Sequence, residues 1–490
     1  MHTDIAIIGA GSGGIGAALA AARQGARVLL VERAPTIGGT AVRAGVSTWE
    51  PVAGATGIPF EIYLRLRERP DAVACYSYGR HICMPRPGDA PFPGGEHVID
   101  RSIGYLDTLQ RHGMRSLRED EQFARETLHG VVFEPDAYAE VAREMLREAG
   151  AEVLTRVALV DAEASDGRVE RIRLSDGSEV RARAFIDCTG DGALCVRVGC
   201  EMMVGRDSRE RFGDPHAPGE PSPATNAATL IYRVMPAKAD RIEPHPDGVP
   251  AECWWRERFP SVSAVQAPRG GYIMNMLPTA EWREIDELGD DLRDECVRRV
   301  RAHWHFVQSE FPEFRGCRLA WIAPEVGLRE ERRVVGEYVL TEHDLLAGLS
   351  GQEHDNVIAI ADHAMDLHGE GGGCRELTGP YGVPFQCLIP RGMRNVLVAS
   401  RASSFSAIAA SSCRLSRTMM QLGQAAGTAA AMGVQRGIDA RDLPAGDLRG
   451  ALREQHVQLE WPMRDAVREW LTKAKRRTTE TTHGRDARAT

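Results

Sequence analysis

No two cysteines of this 490-residue chain form a CxxC pair; the eleven stand singly, at Cys75, Cys83, Cys188, Cys195, Cys200, Cys253, Cys296, Cys317, Cys374, Cys387 and Cys413. That scatter excludes an adjacent redox-active disulfide and shows no zinc or iron–sulfur spacing, so apolar filling is the expected role for most of them. Long hydrophobic runs are missing as well. Nothing approaches the ~20 apolar residues that cross a bilayer, and the stretch from Ala425 to Val434 is short and glycine-interrupted. A basic excess is also absent. A formal net charge of −9 and a pI near 6.0 exclude a nucleic-acid surface, and the one sizeable basic cluster, Lys473, Lys475, Arg476 and Arg477, is expected to be a solvated C-terminal end. No charged n-region or apolar h-region precedes the first strand, which predicts a cytoplasmic protein. The length leaves room for two or three domains, with self-association left open.

What is present begins at residue 4. An apolar strand, Asp4 to Ile8, runs into Gly9-Ala10-Gly11-Ser12-Gly13-Gly14, then a small-residue helix, a strand from Arg27 to Val31, and Glu32. In a dinucleotide-binding turn Gly9 permits the tight bend, Gly11 lets backbone N–H groups reach a pyrophosphate, and Gly14 lets helix and strand pack closely. Ser12 and Gly13 open the helix, whose N-terminus attracts a diphosphate. Glu32 stands where a carboxylate accepts hydrogen bonds from ribose hydroxyls and disfavours a 2′-phosphate. After it come Arg33 and a Gly38-Gly39-Thr40 turn. A carboxylate followed by Gly-Gly-Thr resembles the signature of flavoproteins that bind FAD in extended form; the competing reading is a structural glycine turn in a non-flavin α/β protein.

Further along, the pattern predicts a helix over Pro135 to Gly150, a strand over Glu152 to Leu154, Val157 close after it, and a hairpin of Ala158 to Ala162 and Val169 to Leu174 joined through Asp166-Gly167. A strand from Ala184 to Cys188 closes on Thr189-Gly190-Asp191-Gly192, the kind of strand end where doubly wound sheets bind ligands. The texture then turns Pro- and Gly-rich, with tryptophans at 254, 255, 304 and 321 and a charged helix over Asp286 to Arg301. The expected division is a cofactor domain over 1–204, a substrate domain over 205–370, the rest of the cofactor domain over 371–440, a helical segment over 441–477 and a disordered tail over 478–490. Within 371–440 a strand, Asn395 to Ser400, ends at Arg401. A small-residue helix, Leu415 to Met432, then carries Gly423, Gln424, Ala425, Ala426 and Gly427. Its thin face suits close packing on the helix Gly16 to Ala22. Its N-terminal turn and Arg414 are placed to face the N1 and C2 carbonyl of a flavin. A buried alanine-rich core helix is the other reading.

Taken together, Gly9 to Gly14 with Glu32 to Thr40, Phe185 to Gly192, Gly327 to Arg333 with Gly336-Glu337-Tyr338, Asp366 to Gly369, Tyr381 to Phe385, and Asn395 to Arg401 with Leu422 to Gly427 resemble a family of bacterial FAD-dependent oxidoreductases allied to the fumarate reductase and glutathione reductase superfamily. The resemblance covers about residues 3 to 435. It implies an α/β fold in which a Rossmann-like FAD-binding domain of glutathione-reductase type is split by an inserted β-rich substrate domain, with the flavin ring at their interface. One departure stands out. Where relatives often carry Ser-Ala-Thr-His, this chain reads Ser404-Phe405-Ser406-Ala407, so no role of that histidine transfers.

A flavin enzyme that oxidises a C–H bond needs a base, a substrate guide and hydride acceptance at the flavin. His368 is the base candidate with Asp366 to orient it; the alternative is a histidine bonded structurally in a loop. Arg329 offers a fork for a substrate carboxylate, unless its neighbours Glu330, Glu331, Arg332 and Arg333 hold it in a surface ion-pair run. His363, Glu370 and Arg375 flank the Gly371-Gly372-Gly373 loop and either line the same cavity or decorate a lid. Trp49 faces the flavin or is core. His303-Trp304-His305 lacks ligand-spaced partners and is expected to be structural, so no metal site is expected. Trp254-Trp255 reads as a lid or an interface patch. With no second GxGxxG for NAD(P)H, electrons are expected to come from a small polar substrate and leave to dioxygen, a quinone or a partner protein. An NAD(P)H-supplied hydroxylase and a non-catalytic flavoprotein subunit are the alternatives.

Overall fold

Short apolar runs, each stopped by glycine or a polar turn, build a parallel sheet. In the computed structural model, which describes residues 1–80, 95–114, 121–238, 241–369 and 372–473, its strands are β1 (Ile5–Ile8), β2 (Val28–Glu32), β3 (Glu152–Thr155), β4 (Ala184–Asp187) and β5 (Val396–Val398). Their order is β5-β4-β1-β2-β3. β1 pairs in parallel on both sides, Ile5 opposite Val28 and Ala184, and every residue of β1 and β2 is buried, as strands covered on both faces require. Cys83, Glu370, Gly371, Lys475, Arg476, Arg477 and the expected disordered tail lie outside the described residues.

Two helices of small residues cover one face. α1 (Ser12–Arg23) and α2 (Ser416–Arg436) cross with their backbones in contact. A Cβ built on Gly423 would lie 1.9 Å from the Gly13 carbonyl oxygen, and one on Gly427 would lie 2.1 Å from that of Ala17. The thin face read from the sequence therefore meets its expected partner. On the other side of the sheet, Leu159–Ser165 and Arg168–Leu174 form the expected hairpin, with positive φ at both Asp166 and Gly167 as a two-residue primed turn demands.

A second, eight-stranded sheet runs Cys317–Ile322, Tyr232–Pro236, Tyr272–Leu277, Ser261–Gln266, Glu96–Ile99, Val73–Arg80, His129–Phe133 and Thr48–Trp49. Its two halves meet in the parallel pairing of Ala264 with Glu96. Four of its strands lie between residues 48 and 133, so the β-rich part is not confined to the expected 205–370. None of the four shows a period-two burial pattern, His129–Phe133 being buried throughout and Val73–Arg80 burying four residues in a row, which hid them as strands. The expected helix over Asp286 to Arg301 is two helices, Trp282–Leu288 and Leu292–Glu310, broken at Gly289, whose φ of 49° ends the first. Behind this sheet Tyr232, Met274, Val300 and Trp304 share one apolar core.

Candidate active site

The turn after β1 is shaped by what its glycines touch. Gly9 sits at φ 93°, and a Cβ there would clash with Cys188 at 2.8 Å; Gly14 presses on the Gly9 carbonyl and Leu30. Gly11 differs: a Cβ there would meet nothing nearer than Gly39 at 4.0 Å, so the space over the first turn of α1 stays open. The N–H groups of Ser12, Gly13 and Gly14 begin that helix, where no intrahelical acceptor exists. The Gly38-Gly39 turn docks beside it, the Gly38 N–H donating to the Ala10 carbonyl at 2.8 Å, and Gly38 and Gly39 both hold positive φ. Thr40 starts the next short helix. Glu32 is buried at the end of β2 and accepts the N–H groups of Ala10 and Ala34, each at 2.8 Å. Its carboxylate thus ties the glycine turn to β2 and keeps lone pairs for a further donor. Val157 donates its N–H to the Glu32 carbonyl at 3.0 Å, and Arg33 is exposed.

β4 ends in a turn knotted around Asp187. Its buried carboxylate accepts the Thr189 N–H and hydroxyl and the N–H groups of Leu194 and Cys195. Gly190 lies against Arg401, which reaches Glu331 at 2.8 Å while its Nε stays buried and unpartnered. Asp191 is half-buried beside Arg332. Two expected cofactor contacts are placed otherwise. Gly423 is filled by the helix crossing, and the Gln424 amide accepts the Ile58 N–H and donates to Gln455. One turn earlier on α2, the fully buried Gln421 has both amide atoms unpartnered, as has the Thr418 hydroxyl. An i, i+3 polar pair inside an apolar helix is the signal that marks them.

Arg414 is not a free guanidinium. It donates to the Asp366 carboxylate at 3.0 Å and to its carbonyl at 3.2 Å. The same Oδ2 of Asp366 contacts His368 Nε2 at 2.6 Å, and the His368 N–H donates to Asn226. Asp366 and His368 occupy a strand, Met365–Leu367, and the residue after it, so the two-residue spacing does bring them to one side. Burial first, and the Arg329 cation second, push the His368 imidazole down to about 4, so it is neutral at pH 7. Burial would raise Asp366, but the interaction with His368, including its hydrogen bond, and the Arg414 charge outweigh it and hold the carboxyl well below its usual range. Arg329 stands apart from the ion-pair run that follows it. Glu330 pairs with Arg333 and Glu331 with Arg401, whereas Arg329 donates to the Ala227 carbonyl at 2.9 Å and the Thr229 hydroxyl at 2.8 Å. It has no ion pair among the described residues. Burial, then Arg414, lowers it to about 10.

A second polar group adjoins the first to make one charged chamber, with Glu50 in electrostatic reach of Asp366 and Arg329, and only in part was it legible in sequence. Glu50 contacts His363 Nε2 at 3.1 Å and accepts Arg111 at 3.0 Å, while Arg111 is clamped by both oxygens of Glu376. Glu50 keeps 48% of its side-chain surface accessible, so it faces open space beside the buried His363. His97, nine-tenths buried on the second sheet, has an unpartnered Nδ1, and burial pushes it down to about 4. Trp49 is core: it is 2% exposed, packs on Phe133 at 5.0 Å, and leaves its Nε1 unpartnered. Arg375 turns away to His216. Ser406 caps the helix Ala407–Ser412, and the Ala407 N–H donates to Asp207, so the Ser404 to Ala407 stretch has a structural task here. His303 bridges the Tyr232 hydroxyl and the Pro260 carbonyl, and His305 contacts the Glu243 carbonyl. Trp254 and Trp255 stack edge-on against each other under Arg298 and Arg299 of the second sheet's helix layer.

An open cradle over a helix N-terminus, a carboxylate at the end of β2, and buried unpartnered groups at Trp49, Arg401 and Gln421 fit an extended dinucleotide whose ring end reaches the chamber. Fold and site therefore define a dinucleotide-dependent enzyme of the doubly wound class. The model of the FAD dependent oxidoreductase family matches residues 4–452, and the chain belongs to that family; FAD is its cofactor. Over 101 residues, 20% of the chain, it is 34% identical to a 3-oxosteroid 1-dehydrogenase of Mycobacterium tuberculosis, and the match spans only 16% of that protein's length. Among solved structures, a geranylgeranyl bacteriochlorophyll reductase-like protein from Thermoplasma acidophilum is 12% identical with 96% and 95% of the two chains covered and a TM-score of 0.45. An anhydrotetracycline hydroxylase from Streptomyces rimosus is 14% identical, covering 93% of this chain and 66% of that one, with a TM-score of 0.41. Among the described residues no helix is long and apolar enough to cross a membrane.

Proposed function

We propose that this oxidoreductase dehydrogenates a small polar substrate bearing a carbonyl or carboxylate, with His368 taking the proton. One observation carries the reading: a neutral imidazole, oriented by Asp366, shares a chamber with a cation, Arg329, that has no ion-pair partner of its own among the described residues. FAD, when bound, supplies the hydride acceptor. His368 donates its Nε2 proton to Asp366, which leaves Nδ1 as the accepting nitrogen. Asp366 in turn is held by Arg414, so the base keeps one orientation. Arg329 neutralises the anionic end of the substrate and positions it. The cofactor is held by Gly9 to Gly14, Glu32, Gly38 to Thr40, the Thr189 to Asp191 turn and Arg401. The short likeness to a 3-oxosteroid 1-dehydrogenase supports this direction of chemistry. Electrons then leave to dioxygen, a quinone or a partner protein. A panel of alcohols, amines, carboxylates and carbonyl compounds screened for anaerobic bleaching of the bound flavin tests the proposal: a carbonyl or carboxylate compound should bleach it. Bleaching by NAD(P)H alone, with none by the panel, would replace it with the hydroxylase reading.

A further inference from the structure

Every nitrogen of a buried histidine ring needs a partner of the opposite kind. At His363, 2% exposed, Nδ1 lies 2.9 Å from the Ala364 carbonyl oxygen and Nε2 lies 3.1 Å from Glu50 Oε2. The carbonyl only accepts, so Nδ1 carries a proton. An ionised Glu50 also only accepts, so a neutral His363 would turn a lone pair onto a carboxylate oxygen. Turning the ring over would put carbons against both acceptors and take both nitrogens away from these partners in a side chain that is 2% exposed. Arg111 does not relieve it. Its guanidinium reaches the same Oε2 of Glu50 at 3.0 Å, but both of its other bonds go to Glu376.

We infer that Glu50 and His363 jointly hold one proton more than a neutral imidazole beside a carboxylate, and that the pair releases this proton to the substrate through Glu50. The inference rests on the chamber being the reaction site, and it narrows the substrate class to compounds whose carbonyl oxygen gains negative charge as they enolise. As that charge develops, the His363 Nε2–H bond breaks, the proton passes to the Glu50 carboxylate, and the carboxyl so formed gives a proton to the substrate oxygen, where the new O–H bond forms. His363 is left neutral, Glu50 ionised, and no electrons change hands in this step. Solvent then restores the proton. The accessible half of the Glu50 side chain gives the route, since His363 itself has almost no exposed surface. The charges that act on the pair are those of Arg111, Asp366 and Arg329, with Glu376 behind Arg111 and His97 within electrostatic reach of Glu50. Two proton carriers in opposite states within one cavity are what acid–base assistance of an enolising dehydrogenation requires.

The test is spectroscopic and needs no substrate. In FAD-loaded protein labelled with nitrogen-15 histidine, the His363 signal, assigned by its loss in His363→Asn, is expected to read as a doubly protonated ring at neutral pH while the His368 signal reads as neutral. Glu50→Gln, whose amide can donate to Nε2, is expected to turn the His363 signal neutral. A neutral His363 in the wild type is also consistent if infrared spectra show a protonated carboxyl band that disappears in Glu50→Gln, because the extra proton then resides on Glu50. A neutral His363 with no such band overturns the inference, whatever the outcome of the substrate screen.

Discussion

At the residue scale the chamber is a set of unequal neighbours. His368 is pushed down to about 4 by burial and by Arg329, so the base form already dominates at pH 7. The sign follows: flavin reduction by substrate should be level through neutral pH and fall only as pH drops through about 4, in proportion to the deprotonated fraction. A profile that falls near pH 6.5 would mean the imidazole titrates as it does in water. His368→Ala should keep its yellow cofactor and slow substrate-driven reduction by ~10² to 10⁴, as loss of a general base does; stopped-flow absorbance of the flavin measures this, and an unchanged rate removes His368 from the chemistry. Glu32 has a double load. Because it also accepts the N–H groups of Ala10 and Ala34, Glu32→Ala should lower both the flavin content of purified protein and the stability of the apoprotein, the latter by about 1–3 kcal/mol for buried donors left unpaired. Full flavin content would rule out the ribose contact.

At the element scale the site depends on how closely α1 and α2 approach. Gly13, Gly16, Gly423 and Gly427 each place backbone against backbone there, which brings the N-terminus of α1 to the glycine turn and α2's first turn toward the chamber. Gly423→Ala would overfill the crossing and is expected to cost about 1–3 kcal/mol. Gly450→Ala, in the exposed helix Ala445–Glu454 with nothing within 4 Å of the new carbon, should be neutral or stabilising by up to about 1 kcal/mol. Urea titrations of the two variants provide the comparison; equal effects would refute the crossing as a close-packed contact. This crossing was readable from composition, since runs of glycine and alanine on two helices have few other uses. The break at Gly289 was not, because the charge pattern on either side continues through it.

At the scale of the whole molecule the two sheets are interleaved. The chain leaves the parallel sheet after β2, supplies four strands of the larger sheet, returns for β3 and β4, and departs again before β5. The larger sheet needs chain from both excursions, and the parallel sheet needs the segments that return between and after them. Ion pairs such as Arg233 with Glu134 at 2.5 Å join the segments across the sheet. Calorimetry should therefore show one cooperative unfolding transition rather than two, and FAD should shift it upward, by about 2.7 kcal/mol at a hundred times its dissociation constant. Two separated transitions would show that the sheets fold independently.

The glycine turn, Glu32, the Thr189 to Asp191 turn and the thin helices were legible in the primary chain because each depends on local chemistry: a φ only glycine adopts easily, a carboxylate at a strand end, a side chain small enough to let backbones touch. The pairing of Asp366 with His368 was legible for the same reason, two residues apart on an extended segment. Glu50, Arg111, Glu376 and His97 come from segments up to 326 positions apart, and no local pattern announces a contact of that range. Sequence by itself determined which cofactor this protein holds and the glycine turn that opens its fold. Only the tertiary structure decided which charges face one another around the chamber, because burial and distance set the protonation of each group and neither is a property of the residue alone.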